Sequence, residues 1–359
     1  MTAPTLITSN YQDAIANLPP EAFLGSLLWF TISQADVNLT QARTDLQALG
    51  LDDALLRKGF RPVDAFRKAT NEIEHKFAPE NNQRANFLVR QVGQDSGQSH
   101  RHVVLERAEY GTGHKRRLAY DTVAEIVFTR GTKKNGTYSG YQVQAKRVGL
   151  LVDLNPEEEA WLTHRLDNLL PRFHHLMEHM DSHAVRSFVR DYIYSLQGIL
   201  AKESGGLYFV RQEHADTIAN LGKWVQSVGS SFHSLPLLNM ADQRQMIMQA
   251  LEDETVKEVE RLMDDIATIL KDPNRTITDA TFDQFTQSAT DMQQRLADYY
   301  KTLGQRSDRA AMDVDVFTQQ LFKLASHCRG DLAGSAGDER LEGWPAGSGD
   351  GAGGPVQGQ

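Results

Sequence analysis

Three histidines, His175, His179 and His183, recur at i, i+4 and i+8, with His174 and Glu178 beside them. On one continuous helix, two imidazoles at this spacing share a face and can hold a cation between them. No cysteine or acidic motif completes such a site, and the helix is expected to break near Asp181. A solvated polar face would read the same way. The reading therefore assigns no metal and no cofactor, and keeps His175, His179 and His183 only as metal candidates. Other catalytic chemistry is scarce. There is no G-x-x-x-x-G-K-[ST], no G-x-S-x-G, no H-E-x-x-H and no C-x-x-C, and "GTKKNG" has a phosphate loop's glycines without its Lys-Ser/Thr. The single cysteine, Cys328, sits at a predicted helix end with no base beside it. No catalytic residue is assigned. An enzyme built from distant residues stays open as a third alternative.

Charge is more informative. The formal net charge is −9, but between Arg84 and Leu150 twelve Lys/Arg face five Asp/Glu, a balance of +7 that leaves −16 for the remainder. A positive module in an acidic chain fits a phosphate-bearing partner, or the acidic part of the same chain. Arg101, Arg107, Lys115, Arg116, Arg117, Arg130, Lys133, Lys134, Lys146 and Arg147 fall in predicted strands and turns. Tyr110, Tyr120, Phe128, Tyr138 and Tyr141 lie among them. Cationic sheets with exposed aromatics can hold DNA or RNA strands. The competing reading is a solvated surface whose aromatics are core.

A second candidate is "KESGGLYFVR", residues 202–211. Gly205 and Gly206 permit a tight turn, "LYFV" favours a strand, and "GILAK" offers its partner. The hairpin 199–211 between two apolar-periodic helices suggests a winged-helix-like arrangement. Arg186, Arg190, Lys202 and Arg211 would then reach phosphates. Alternatively the hairpin caps a helical domain, or "LYFV" adds an edge strand to the sheet.

The elements that must position these residues follow from periodicity. Residues 1–19 are weakly structured. Residues 20–79 read as helical: "FLGSLLWFTI" as a buried helix too short to span a bilayer, and "PVDAFRKATNEIEHKF" with Val63, Phe66, Ala69, Ile73 and Phe77 on one face. Residues 84–150 read as an antiparallel sheet of four or five strands, with Asn135-Gly136 as a hairpin turn. "LNPEEEAWL" opens a helical region, 155–230, with Asn155 as cap, and Ser182 caps a later helix within it. In 241–328, Phe282, Phe285, Ala289, Met292, Leu296, Tyr299 and Leu303 alternate steps of three and four. Val259, Leu262, Ile266 and Ile269 repeat that alternation and predict an antiparallel, coiled-coil-like helical hairpin, open to self-association or a protein partner. Ten of the 27 glycines lie between Gly330 and Gln359, so 329–359 reads as a disordered tail. The fold class is α+β. A lone cysteine, no basic leader and no spanning segment predict a cytoplasmic protein without membrane contact.

The stretch "VRSFVRDYIYSLQGILAKESGGLYFVRQEHADTIANL", residues 185–221, resembles an uncharacterised family of unknown function from actinobacteria, haloarchaea and their phages and plasmids. The preceding basic strands and the later "ADYYKTLG" extend the resemblance over about 84–304. It implies a mobile-element context and transfers no active site. With the charge pattern, it leads to an expected non-enzymatic accessory protein that binds nucleic acid through the basic sheet or the wing. The alternative is a scaffold acting through its helical hairpin.

Overall fold

The computed structural model describes residues 18–330, apart from short stretches at 58, 80–82, 96, 111–115, 132, 135–136, 139, 150–151, 203–204 and 272–277. Residues 1–17 and the glycine-rich tail beyond 330 lie outside the described residues. Helices and sheets are mixed, so the protein is α+β. It divides into two compact units, 1–239 and 240–359.

The first unit opens with a correction. "FLGSLLWFT" is not a helix but strand β1, Phe23–Thr31. It lies between β12 (Leu207–Arg211) and β13 (Ser231–Leu238), antiparallel to both, in a sheet of order β11-β12-β1-β13, where β11 is Ile199–Lys202. An interior strand with apolar residues on both faces reads as an unbroken apolar run, which periodicity cannot separate from a buried helix. Helices α1 (Leu39–Ala48), α5 (Ser182–Ser195) and α6 (Ala215–Ser227) contribute to the adjoining core, in which Leu28, Leu46, Val189, Val210 and Trp224 are buried. Asp181, not Ser182, caps α5: its side chain accepts from the Ala184 N–H, while the Ser182 Oγ accepts from the Ala35 N–H.

The basic segment forms a second antiparallel sheet, order β3-β4-β5-β6-β9. Its strands are β3 (His75–Lys76), β4 (Gln83–Gln94), β5 (Gln98–Tyr110), β6 (Arg116–Arg130) and β9 (Tyr141–Arg147). The short strands β7 (Lys133–Lys134) and β8 (Thr137–Tyr138) pair, Lys133 opposite Tyr138 and Lys134 opposite Thr137; the predicted turn Asn135-Gly136 lies outside the described residues. One face packs on α2 (Pro62–Asn71), α3 (Pro156–Asp167) and α4 (Leu169–Glu178), burying Phe66, Phe87, Val103, Ile126, Phe128 and Phe173. Asn155 and Glu158 close the start of α3 reciprocally, each side chain accepting the other's backbone N–H. The helix expected to run through to about Met180 is interrupted at Asn168 and ends at Glu178. There β10 (His179–Asp181) begins and pairs with β2 (Asp36–Asn38).

The second unit contains α7 (Ala241–Lys271), α8 (Asp279–Leu303) and α9 (Asp308–Gly330). Gly304, at φ +65°, lets the chain reverse between α8 and α9. Phe285, Ala289, Met292, Leu296, Tyr299 and Leu303 are buried, as are Val259, Leu262, Ile266 and Ile269 on α7 and Ala310, Val314, Phe317 and Leu321 on α9. The seam proposed for self-association is therefore spent inside the chain: Phe285, Met292, Leu296, Tyr299 and Leu303 are buried and Phe282 half-buried.

Candidate functional site

The β2–β10 ladder creates the site. Its register sets His179 opposite Asn38, Met180 opposite Val37, and Asp181 opposite Asp36. Met180 is buried and Val37 packs against the first core, so the pleat turns Asp36, Asn38, His179 and Asp181 to the opposite side. The last turn of α4 brings His175 to the same place. The Nε2 of His175 lies 3.0 Å from Oδ1 of Asp36, and the His175 and His179 rings stack with centroids 4.0 Å apart. The ring Nδ1 of His179 is 3.2 Å from the His175 carbonyl oxygen. A carbonyl can only accept, so this contact needs the proton on Nδ1, and in the neutral ring Nε2 then carries the lone pair. Ligand atoms of Asp36, His175 and His179 all lie within 4.8 Å of one another. Of the three histidines singled out by spacing, His175 and His179 converge. His183 does not join them, because β10 interrupts the helix and carries it onto α5, where it is exposed.

The cluster borders a cleft of about 320 Å³, also lined by Gln34, Phe60, Lys68, Arg172 and Ser182. Its cations are held by neighbours. Lys68 Nζ is 3.2 Å from Asp181, and Arg172 grips Glu72 with two nitrogens at 2.8 Å. That hydrogen bond outweighs burial and, with Asp36 and Asp181 nearby, raises the Arg172 pKa above its ordinary value. Burial disfavours charge on Asp181, but the Ala184 N–H and the Lys68 ammonium prevail and hold its carboxyl below the usual range. Asp36 itself could not have been found from sequence. It lies far from the histidines in the chain, and only the β2–β10 pairing brings it to them.

The basic residues are divided rather than gathered. Arg101 points to the helix side of the sheet and is buried. It donates to the Arg67 carbonyl at 3.0 Å, the Asn71 side chain at 2.8 Å and the Thr70 hydroxyl, closing the C-terminal turn of α2. Burial lowers its pKa, opposed by Glu74. Arg107 pairs with the buried Glu158 at 2.8 Å, and Arg147 with Glu159 at 2.9 Å. These three arginines bind the sheet to α2 and α3. Arg101→Ala should accordingly lower unfolding free energy by about 2 kcal/mol, the scale of charged hydrogen bonds lost. It should leave nucleic-acid affinity unmoved. An unchanged denaturation midpoint would contradict this assignment.

On the opposite face, Arg90, His102, Glu125 and Lys146 stand side by side across the strands, so an acidic residue interrupts that row of basic ones. Lys146 is exposed and Arg130 half-buried. Arg116 and Arg117 open β6, while β7 with Lys133 and Lys134 follows its far end. At about 3.3 Å per residue, the intervening 15-residue strand separates the two groups by roughly 45 Å. Lys115 and the side chains of Arg116, Arg117, Lys133 and Lys134 lie outside the described residues.

The wing reading needs correction. The β11–β12 hairpin forms as expected, but β12 is an interior strand with Tyr208, Phe209 and Val210 buried, not a projecting loop. Arg211 is 8% exposed and bonded to Gln197 and Glu213, both at 2.7 Å. Arg190 pairs with Asp191, and Arg186 reaches the Ile32 carbonyl. Lys202, at the end of β11, is exposed.

A family model spans this whole architecture, from Phe23, the first residue of β1, to Gly330, the last of α9. The chain belongs to DUF6744, a family of unknown function. Both sheets, the β2–β10 ladder and the three helices of the second unit fall inside the DUF6744 match, residues 23–330. No curated protein and no solved structure matches the chain. No helix among the described residues is long and apolar enough to cross a membrane.

Proposed function

We propose that the protein is a cytoplasmic, non-enzymatic accessory protein of phage or plasmid type that binds nucleic acid. The observation that supports it is the segregation of charge, +7 within Arg84–Leu150 against −16 elsewhere. Arg101, Arg107 and Arg147 are already engaged within the fold. The phosphate contacts are therefore assigned to the sheet ends: Lys115, Arg116 and Arg117 at one, and Lys133 and Lys134 with Lys146 towards the other. Tyr120, at 57% exposure, stands beside the first group on β6 and offers a ring for base stacking.

Fluorescence anisotropy tests this with labelled single- and double-stranded DNA at about 50 and 200 mM salt. Binding should fall steeply with salt and weaken at least roughly tenfold in a Lys115/Arg116/Arg117→Ala variant. A duplex contacted at both ends must exceed about 13 base pairs, from the roughly 45 Å separation and about 3.4 Å per pair. Lys133/Lys134→Ala should then weaken binding to long duplexes and leave 10-base-pair duplexes unaffected. Absence of binding at micromolar protein and low salt would sink the reading and leave the basic residues a structural role.

A further inference from the structure

We propose that Asp36, His175 and His179 form a binding site for a divalent transition cation of zinc type. The donor set is two imidazole nitrogens and one carboxylate oxygen, the mixture such cations take when coordination positions are left for water or another ligand. The three side chains line the same cleft as Lys68 and Ser182.

Geometry carries the proposal. Ligands at about 2.0–2.1 Å in a tetrahedral shell stand roughly 3.3 Å apart. His175 Nε2 and Asp36 Oδ1 are already 3.0 Å apart, and one ligand atom from each of the three side chains lies within 4.8 Å of the other two. Closing the shell needs side-chain movement of about 1.5 Å or less, within the reach of imidazole and carboxylate torsions. The second observation is orientation: the His175 carbonyl holds Nδ1 of His179, so Nε2 is the free donor. Outer hydrogen bonds of this kind fix the tautomer of metal-binding histidines. The third is placement. Asp36 stands next to Val37, which packs on the first core, whereas His175 stands next to Leu176, which belongs to the second. A cation there ties together the two layers of the first unit, so binding should register as stability as well as occupancy.

The test uses the full chain, stripped with chelator and carrying no affinity tag. Zn2+ is titrated against a chromophoric chelator, with Co2+ absorption as a second readout. One equivalent should bind per chain and raise the melting temperature. His179→Ala and Asp36→Asn should each weaken binding by at least tenfold and abolish the metal-dependent rise. His183→Ala should do neither. The Asp36 side chain is 62% exposed, so Asp36→Asn should keep the apo fold, checked by circular dichroism. Stoichiometric binding that survives both His179→Ala and Asp36→Asn would overturn the proposal. So would the absence of binding at micromolar Zn2+, which would leave His175 and Asp36 a hydrogen-bonded pair and nothing more.

Discussion

Gly25→Ala is expected to cost about 3–5 kcal/mol, overpacking and backbone strain together, a substantial part of an ordinary domain's stability. Gly25 sits in the interior strand β1, opposite Arg211 on one side and Leu237 on the other. A β-carbon there would overlap the Val210 carbonyl oxygen and stand 2.9 Å from both the Arg211 Cα and the tip of the Phe209 ring. The first two obstacles are backbone of a strand hydrogen-bonded on both edges, so neither can yield without parting β1 from β12. The backbone at Gly25, φ +157°, is also one that side-chain-bearing residues rarely adopt, which adds strain. Gly50→Ala supplies the control. It too has positive φ, +68°, but a β-carbon there meets nothing within 4 Å. It should cost only about 1 kcal/mol. Guanidinium unfolding followed by circular dichroism measures both. Equal midpoints for the two variants would show that the β1–β12 contact is looser than described.

Arg295→Met should destabilise the second unit by about 2–4 kcal/mol, slightly less than the loss of one partner from a fully buried pair. Arg295 lies on α8 beside the apolar seam, its side chain 13% exposed. It holds Glu258 of α7 at 2.6 Å and faces Glu254 at 3.8 Å. Burial opposes its charge, but the two carboxylates prevail and raise its pKa, so the guanidinium stays protonated wherever the protein is folded. Methionine keeps the length of the side chain and leaves both carboxylates facing a neutral group. The discount reflects Glu258, whose side chain is 30% exposed and can turn towards water. Arg295→Met/Glu258→Leu should recover at least half of the loss, because it replaces a charged pair by apolar contact. Urea unfolding of the full chain, with the transition of the helical unit followed separately, reads both changes. A single variant as stable as the parent would mean that the pair sits in solvent.

The elements legible in the sequence are those whose pattern needs one neighbour. The strict alternation from Phe285 to Leu303 reads as a buried helix seam because every third or fourth residue must leave water together, and those residues are buried. Tyr141–Arg147 forms the strand its Tyr, Val and Ala at every second position predict, although it lies at the sheet edge with only Val143 and Arg147 half-buried. Asn155-Pro156 with three glutamates opens a helix because the cap is local chemistry. The hairpin at Ile199–Arg211 was visible from its two glycines and its β-branched and aromatic residues. What failed was the neighbourhood. Phe23–Thr31 looked helical because strands on both edges and apolar residues on both faces erase alternation. The basic residues looked like one surface because composition counts charges without saying which face they leave. Alternate residues of one strand point apart, so Arg101 and Arg107 went to the helices while His102 went outward.

The sequence by itself therefore determined the class of the fold, the segregation of charge, the Asn155 cap and the apolar periodicity of the helical seam, all of which depend on residues close together in the chain; that the seam closes within the chain, and that Asp181 rather than Ser182 caps α5, came from the tertiary structure. Only the tertiary structure decided which charges are spent internally, and that β12 is interior rather than a wing. It also decided that Asp36 meets His175 and His179. Those outcomes depend on pairings between distant strands, β1 with β12 and β2 with β10, and a pairing partner leaves no periodic mark on either strand's own residues.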